Sequence, residues 1–190
     1  MTVFRLVIHF GCSVPLIWLT WVLAQDDVAA LGADPIKELQ HFLGYGAILI
    51  FSLMFLLGIL LQLWQKNAYQ ILRRPLGLWA FFWAFLHMLS YFLLELGQDI
   101  ALFGSELINR PYLILGAVAL FILTMMAITS LPNIKRWLGS RWFNLHQLAY
   151  PALILATIHY YWSVKSLTLS PVIMILLTSF ITAWRLWKKR

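Results

Sequence analysis

Polar residues in this chain gather into short clusters. Between them lie six stretches that are apolar on every side, near 4–24, 42–63, 76–97, 112–131, 143–163 and 170–187. Each is close to the ~20 residues with which a helix crosses about 30 Å of hydrocarbon. Leu, Ala, Phe and Trp fill them without the every-second-residue alternation of a barrel strand, so the pattern predicts helices. Pro75 and Pro111 stand near the predicted starts of the third and fourth spans, where a missing N–H costs least. Pro15 and Pro151 fall inside spans. Pro151, five residues after His146, predicts a bend or local rewinding of the fifth. No repeat, low-complexity tract or linker divides the chain, so residues 1–190 are expected to form one domain with no soluble catalytic module fused to it.

Composition agrees with this pattern: 62% hydrophobic and 11% charged residues leave too little polar material for a water-facing surface. The expected fold class is an all-α integral membrane protein, a six-transmembrane-helix bundle. The first span follows a single arginine, as a signal peptide would. Its apolar run exceeds the usual 7–15 residues, so it is expected to remain as the first helix.

A net charge of +7 on a soluble protein would suggest nucleic acid; here its placement sets topology instead. With a cytoplasmic N-terminus, eleven of the 14 Lys and Arg residues, from Arg5 and Lys66 to Arg185, Lys188, Lys189 and Arg190, fall on the cytoplasmic side. Only Lys37, Arg110 and Lys165 fall outside. Both termini are therefore expected in the cytoplasm. The seven acids, Asp26, Asp27, Asp34, Glu38, Glu95, Asp99 and Glu106, all lie in or beside the first two outward loops. The one cysteine, Cys12, excludes an internal disulfide and the CxxCH attachment of a c-type haem.

Three histidines fall within apolar spans: His87, His146 and His159. Imidazole in hydrocarbon is costly unless something binds it. A helical bundle can hold a planar cofactor between facing helices, with an axial ligand from each side. The third and fifth spans run in the same direction. His146 and His159 are thirteen positions apart, about 20 Å on a helix, and fourteen positions before His87 stands Arg73. The register sets His87 level with His159 and Arg73 level with His146. It favours a bis-histidine b-type haem on His87 and His159, between the third and fifth spans, suited to electron transfer. On one ideal helix His146 and His159 would point about 140° apart, which the bend at Pro151 or helix tilt must correct. Arg73 and Arg74 suit haem propionates or a flavin phosphate, and serve equally as a positive-inside anchor. His41 is a candidate propionate or quinone contact, whereas His9, Tyr91 and Tyr160 read first as packing.

The stretches LGADPIKELQHFLG (31–44), RRPLGLWAFFWAFLHMLSYFLLELG (73–97), INRPYLILG (108–116) and LGSRWFNLHQLAYPALILATIHYYWSVK (138–165) closely resemble the MsrQ family. These are the haem-binding membrane subunits of bacterial periplasmic methionine-sulfoxide reductase systems, placed among the ferric reductase-like transmembrane proteins with the NADPH oxidases. The resemblance implies His87, His146 and His159 as haem-associated, with one or two b haems. It also implies FMN as a second cofactor, with Arg73 associated with it. Many relatives carry a histidine where this chain has Arg73, which counts against a second conventionally ligated haem. The oxidases' C-terminal FAD and NADPH domains do not follow Trp187, so the resemblance implies electrons from the quinol pool or a separate flavin reductase. The implied acceptor is MsrP, a periplasmic molybdopterin reductase that repairs oxidised methionine, and the implied location is the bacterial inner membrane. Two other readings stay open: a b cytochrome of this fold serving another acceptor such as ferric iron, and a cofactor-free membrane transporter or chaperone.

Overall fold

Helix starts follow local chemistry. Asp34 accepts the Lys37 backbone N–H and Pro35 takes the first position of a 29-residue helix. The Asp99 carboxylate accepts the N–H groups of Ala101 and Leu102, both at 2.9 Å. Pro111 and Pro132 likewise open helices, where their missing N–H needs no partner. Two of the acids thus have a structural task as caps. The computed structural model describes residues 2–25, 28–164 and 168–188. Asp26, Asp27, Lys165, Lys189 and Arg190, used above for topology, lie outside the described residues.

The chain divides into two compact units, Met1–Gln98 and Asp99–Arg190. In the first, α1 (Thr2–Ala24) is followed by a 3-10 turn and α2 (Pro35–Leu63). A second 3-10 segment, Asn67–Leu72, leads into α3 (Arg73–Ser90), which widens into a π-helical turn at Tyr91–Glu95. The second unit holds α4 (Ile100–Asn109), α5 (Pro111–Thr129), α6 (Pro132–Leu138), α7 (Arg141–His146), α8 (Ala149–Val164) and α9 (Leu169–Lys188).

In the first unit α2 packs mainly on α3 and buries a stripe at helical spacing, Leu39, Leu43, Ala47, Ile50 and Met54. The two helices run antiparallel, with glycine on one facing bulk on the other: Gly46 faces Trp83, and Gly77 faces Met54. Such close approach is how helices associate in lipid, where no hydrophobic effect separates one apolar face from another. Trp83 is 3% exposed, and its Nε1–H donates to the Cys12 carbonyl at 3.1 Å, tying α1 to α3. A Cβ on Gly46 would lie 2.3 Å from two atoms of that pinned ring. Gly46→Ala is expected to destabilise the protein by about 1–3 kcal/mol, read as a lower unfolding temperature in detergent; an unchanged temperature would contradict this packing.

In the second unit α8 packs on both α5 and α9. Ala152 and Leu153 are fully buried, and the Thr157 and Thr178 hydroxyls meet at 2.7 Å between α8 and α9. Pro171, Met174, Thr178 and Ile181 form the buried stripe of α9.

Among the described residues, five helical segments are long and apolar enough to cross a membrane: α1, α2, Asn67–Glu95, α5 and α9. The stretch 143–163, expected as one bent span, is instead α7 and the 16-residue α8, separated by a turn at Gln147–Leu148. Pro151 has no N–H to offer the Gln147 carbonyl, which takes the Tyr150 N–H at 3.2 Å in a tighter turn. The Ala152 N–H then restarts the helix on Leu148. Pro15, by contrast, lies within α1 without ending it. α4 and α6 occupy segments that the hydropathy pattern left as loops.

Candidate functional site

His87 and His159 sit in two closely similar settings, one in each unit. The His87 Nδ1 lies 2.9 Å from the Gln40 carbonyl on α2. The His159 Nδ1 lies 2.7 Å from the Tyr112 carbonyl on α5. A carbonyl only accepts, so in both rings Nδ1 carries the hydrogen and Nε2 keeps its lone pair. Four residues beyond each acceptor stands a glycine, Gly44 after Gln40 and Gly116 after Tyr112. A Cβ would come within 3.1 Å of the His87 ring at Gly44 and within 2.9 Å of the His159 ring at Gly116. Each imidazole is thus laid in a recess of its neighbouring helix, clamped by one backbone carbonyl. This is the arrangement that fixes tautomer and ring angle in metal-ligating histidines. Neither glycine nor acceptor was singled out from the sequence; the only trace there is a glycine inside each of two apolar helices.

Arg73 continues the pattern on α3. Gly44 and Gly58 are fourteen positions apart on α2, as are Arg73 and His87 on α3, and a Cβ on Gly58 would meet the Arg73 guanidinium at 2.9–3.0 Å. The Arg73 level therefore lies about 21 Å along the helix from the His87 level. Gln70 joins the two sides, its amide donating to the Gly58 carbonyl at 3.1 Å and its oxygen lying 3.5 Å from Arg73 Nη1. Arg74, the next residue, lines a separate cleft against α1. The two adjacent arginines thus serve different neighbours.

His146 differs from the other two histidines. It ends α7, with Trp142 stacked on its ring at 4.0 Å and Lys135 4.3 Å above that indole. Thr129 donates its hydroxyl to the Met125 carbonyl at 2.7 Å and so accepts from His146 Nε2 at 3.1 Å. Nε2 carries the hydrogen here and Nδ1 holds the lone pair, the reverse of His87 and His159. The break before α8 also removes the ideal-helix angle of about 140° between His146 and His159.

His41 is half-buried on α2 beside Gln40, and Tyr91 opens the π-helical turn beyond His87. At the start of α5, Arg110 pairs with Glu106 and donates to the Tyr112 hydroxyl at 3.3 Å. Tyr112 first, then Glu106, hold its guanidinium above the ordinary pKa. Among the described residues no three His, Cys, Asp or Glu side chains converge on one point.

Residues 3–157 match the family described as ferric reductase like transmembrane component. A protein of Pasteurella multocida (strain Pm70), named protein-methionine-sulfoxide reductase heme-binding subunit MsrQ, is 50% identical over 181 residues, covering 95% of this chain and 88% of its own. Proteins of the same name from Cronobacter sakazakii and Enterobacter sp. (strain 638) are 42% and 44% identical, each covering all of this chain and 94% of their own.

Proposed function

Because the chain belongs to the ferric reductase-like transmembrane family, and within it to the MsrQ proteins, we propose that this multi-pass membrane protein is the electron-carrying subunit of a methionine-sulfoxide reductase system. The observation that carries the reading is the pair of matched recesses. In each, Nδ1–H is committed to a helix carbonyl, which fixes the ring orientation and puts the imidazole lone pair on Nε2. The donor set fits a haem: His87 and His159, as neutral imidazoles, would hold its iron through Nε2. When bound by His87 and His159, such a b-type haem supplies reversible one-electron chemistry.

The chain's own residues do the positioning. Gly44 and Gly116 admit the rings, and the Gln40 and Tyr112 carbonyls hold their Nδ1 protons and raise the basicity of Nε2. Arg73 offers a guanidinium fork at the other level, suited to a haem propionate or to the phosphate of FMN. On this reading His146 is haem-associated as well, its lone pair on Nδ1. A guanidinium such as that of Arg73 is no haem ligand, which leaves one bis-histidine haem. The family match over residues 3–157 runs from the first compact unit into the second, which supports treating 1–190 as one haem-binding domain.

On this reading both termini are cytoplasmic, in the bacterial inner membrane. Electrons enter from quinol or a cytosolic flavin reductase and leave to the periplasmic molybdopterin enzyme MsrP. Reduced protein mixed with that partner and methionine sulfoxide is expected to reoxidise within the time of sulfoxide turnover. Failure to do so, with rapid reoxidation by a ferric chelate, would assign another acceptor. Arg73→Ala is expected to lower bound FMN by roughly tenfold, the loss of one buried charge-assisted contact, while changing haem content far less. An unaltered FMN stoichiometry rejects the role of Arg73.

A further inference from the structure

Two short helices build the seat of His146. α6 is stopped by Gly139 at a φ of +52°, a conformation that glycine takes without strain, and α7 starts at Arg141 and packs against α5. Trp142 and His146 are four residues apart on α7 and so share one face. Both are tied to Thr129, the last residue of α5 and 5% exposed. The Trp142 Nε1–H donates at 3.0 Å to the Thr129 carbonyl, a helix-end acceptor that no N–H of α5 can reach. The Thr129 hydroxyl hydrogen goes to a helix carbonyl, Met125 at 2.7 Å or Met126 at 3.3 Å, and its oxygen accepts the His146 Nε2–H at 3.1 Å. The indole stacks on the imidazole at 4.0 Å, with 28° between the two planes.

We propose that Trp142 and Thr129 are positioning residues that together lock His146, the indole setting its ring plane and the hydroxyl its tautomer and in-plane direction. Stacking alone would let the imidazole slide or turn beneath the indole. The bond from Trp142 to the Thr129 carbonyl pins the indole to the same residue whose hydroxyl holds the imidazole, so the three constraints close on one another. The Nδ1–H groups of His87 and His159 are held by backbone carbonyls, which no substitution removes. His146 is held by two side chains, and each can be changed singly. Fixing the tautomer and angle of a histidine tunes the centre it serves. The inference rests on the reading of His146 as haem-associated and names the residues that set its contribution to the haem potential.

The test is nitrogen NMR of the holoprotein labelled at histidine, in the reduced low-spin state, which is diamagnetic, with His146→Gln assigning the signals and redox potentiometry of the same samples. Thr129→Val keeps the shape of the side chain and removes the acceptor. It is expected to lower the ratio of the Nε2–H to the Nδ1–H form of His146 about fivefold, the worth of one hydrogen bond, and to shift the haem potential; Thr129→Ser restores both. Trp142→Phe keeps a ring over the imidazole but releases the Thr129 carbonyl, and is expected to move both readouts the same way by less. An unchanged ratio in Thr129→Val, or an equal change in Thr129→Ser, overturns the lock, and an unchanged ratio in Trp142→Phe overturns the part of Trp142. A changed ratio with an unmoved potential upholds the lock and rejects the haem association of His146. Haem content is expected to stay at the parent level in all three variants and reports their folding.

Discussion

Alanine in place of His87 or His159 is expected to strip most of the haem from the protein and leave the helices folded. On the proposed ligation each change removes one haem ligand and, with it, the Nδ1–H bond to Gln40 or Tyr112. Neither ring belongs to the fully buried core, which is built from residues such as Ala80, Trp83, Ala152 and Leu153. The carbonyl each ring releases already serves its own helix, so no buried acceptor is orphaned. Helical content by circular dichroism should therefore hold while the Soret absorbance per chain falls. His146→Ala should have a smaller effect on the same absorbance, because its ring is stacked on Trp142 and held by Thr129 rather than laid in a glycine recess. Normal haem content in both His87→Ala and His159→Ala would defeat the ligand assignment.

The second large effect is expected at positions that touch no electron carrier. Gly116→Ala places a methyl group 2.9 Å from Cε1 and Nδ1 of His159, inside any real carbon contact, so the ring must swing away from the Tyr112 carbonyl. Losing that outer bond typically lowers metal affinity about 10- to 100-fold, and the haem reduction potential should shift with it. At Gly44 the corresponding distance is 3.1 Å, close enough to crowd His87 but within what a small tilt relieves, so Gly44→Ala should show the same change to a lesser degree. Gly11→Ala is the control, since nothing lies within 4 Å of its added Cβ. Haem titration and redox potentiometry of the three variants provide the check: an order other than Gly116, Gly44, Gly11 would remove the recesses from the account.

Much of the helical layout could be read from hydropathy because lipid demands long uninterrupted apolar runs. The predicted spans at 4–24, 112–131 and 170–187 lie within a few residues of α1, α5 and α9. α2 begins at Pro35, well before the predicted 42, since Lys37, Glu38 and Gln40 occupy its first turns and a hydropathy window does not register a polar helix start capped by Asp34. α4 escaped for another reason: it is apolar but only ten residues long, too short for a window sized to a membrane span, and its start is signalled by the Asp99 cap. Pro151 announced trouble in the fifth apolar stretch, but a bend and a full break differ by which carbonyl accepts the Tyr150 N–H, and that is decided in three dimensions. The histidines were legible as anomalies in apolar surroundings. Their recesses were not, because the pairings of Gly44 with His87 and Gly116 with His159 exist only once the packing partners of α3 and α8 are known.

The most direct test of the central claim is a reduced-minus-oxidised visible spectrum of the detergent-purified protein, with the haem quantified as its pyridine haemochrome. The account predicts a low-spin b-type Soret and α band at one haem per chain. A folded, colourless protein, or a high-spin spectrum open at one axial position, would contradict the pairing of His87 and His159 on one iron.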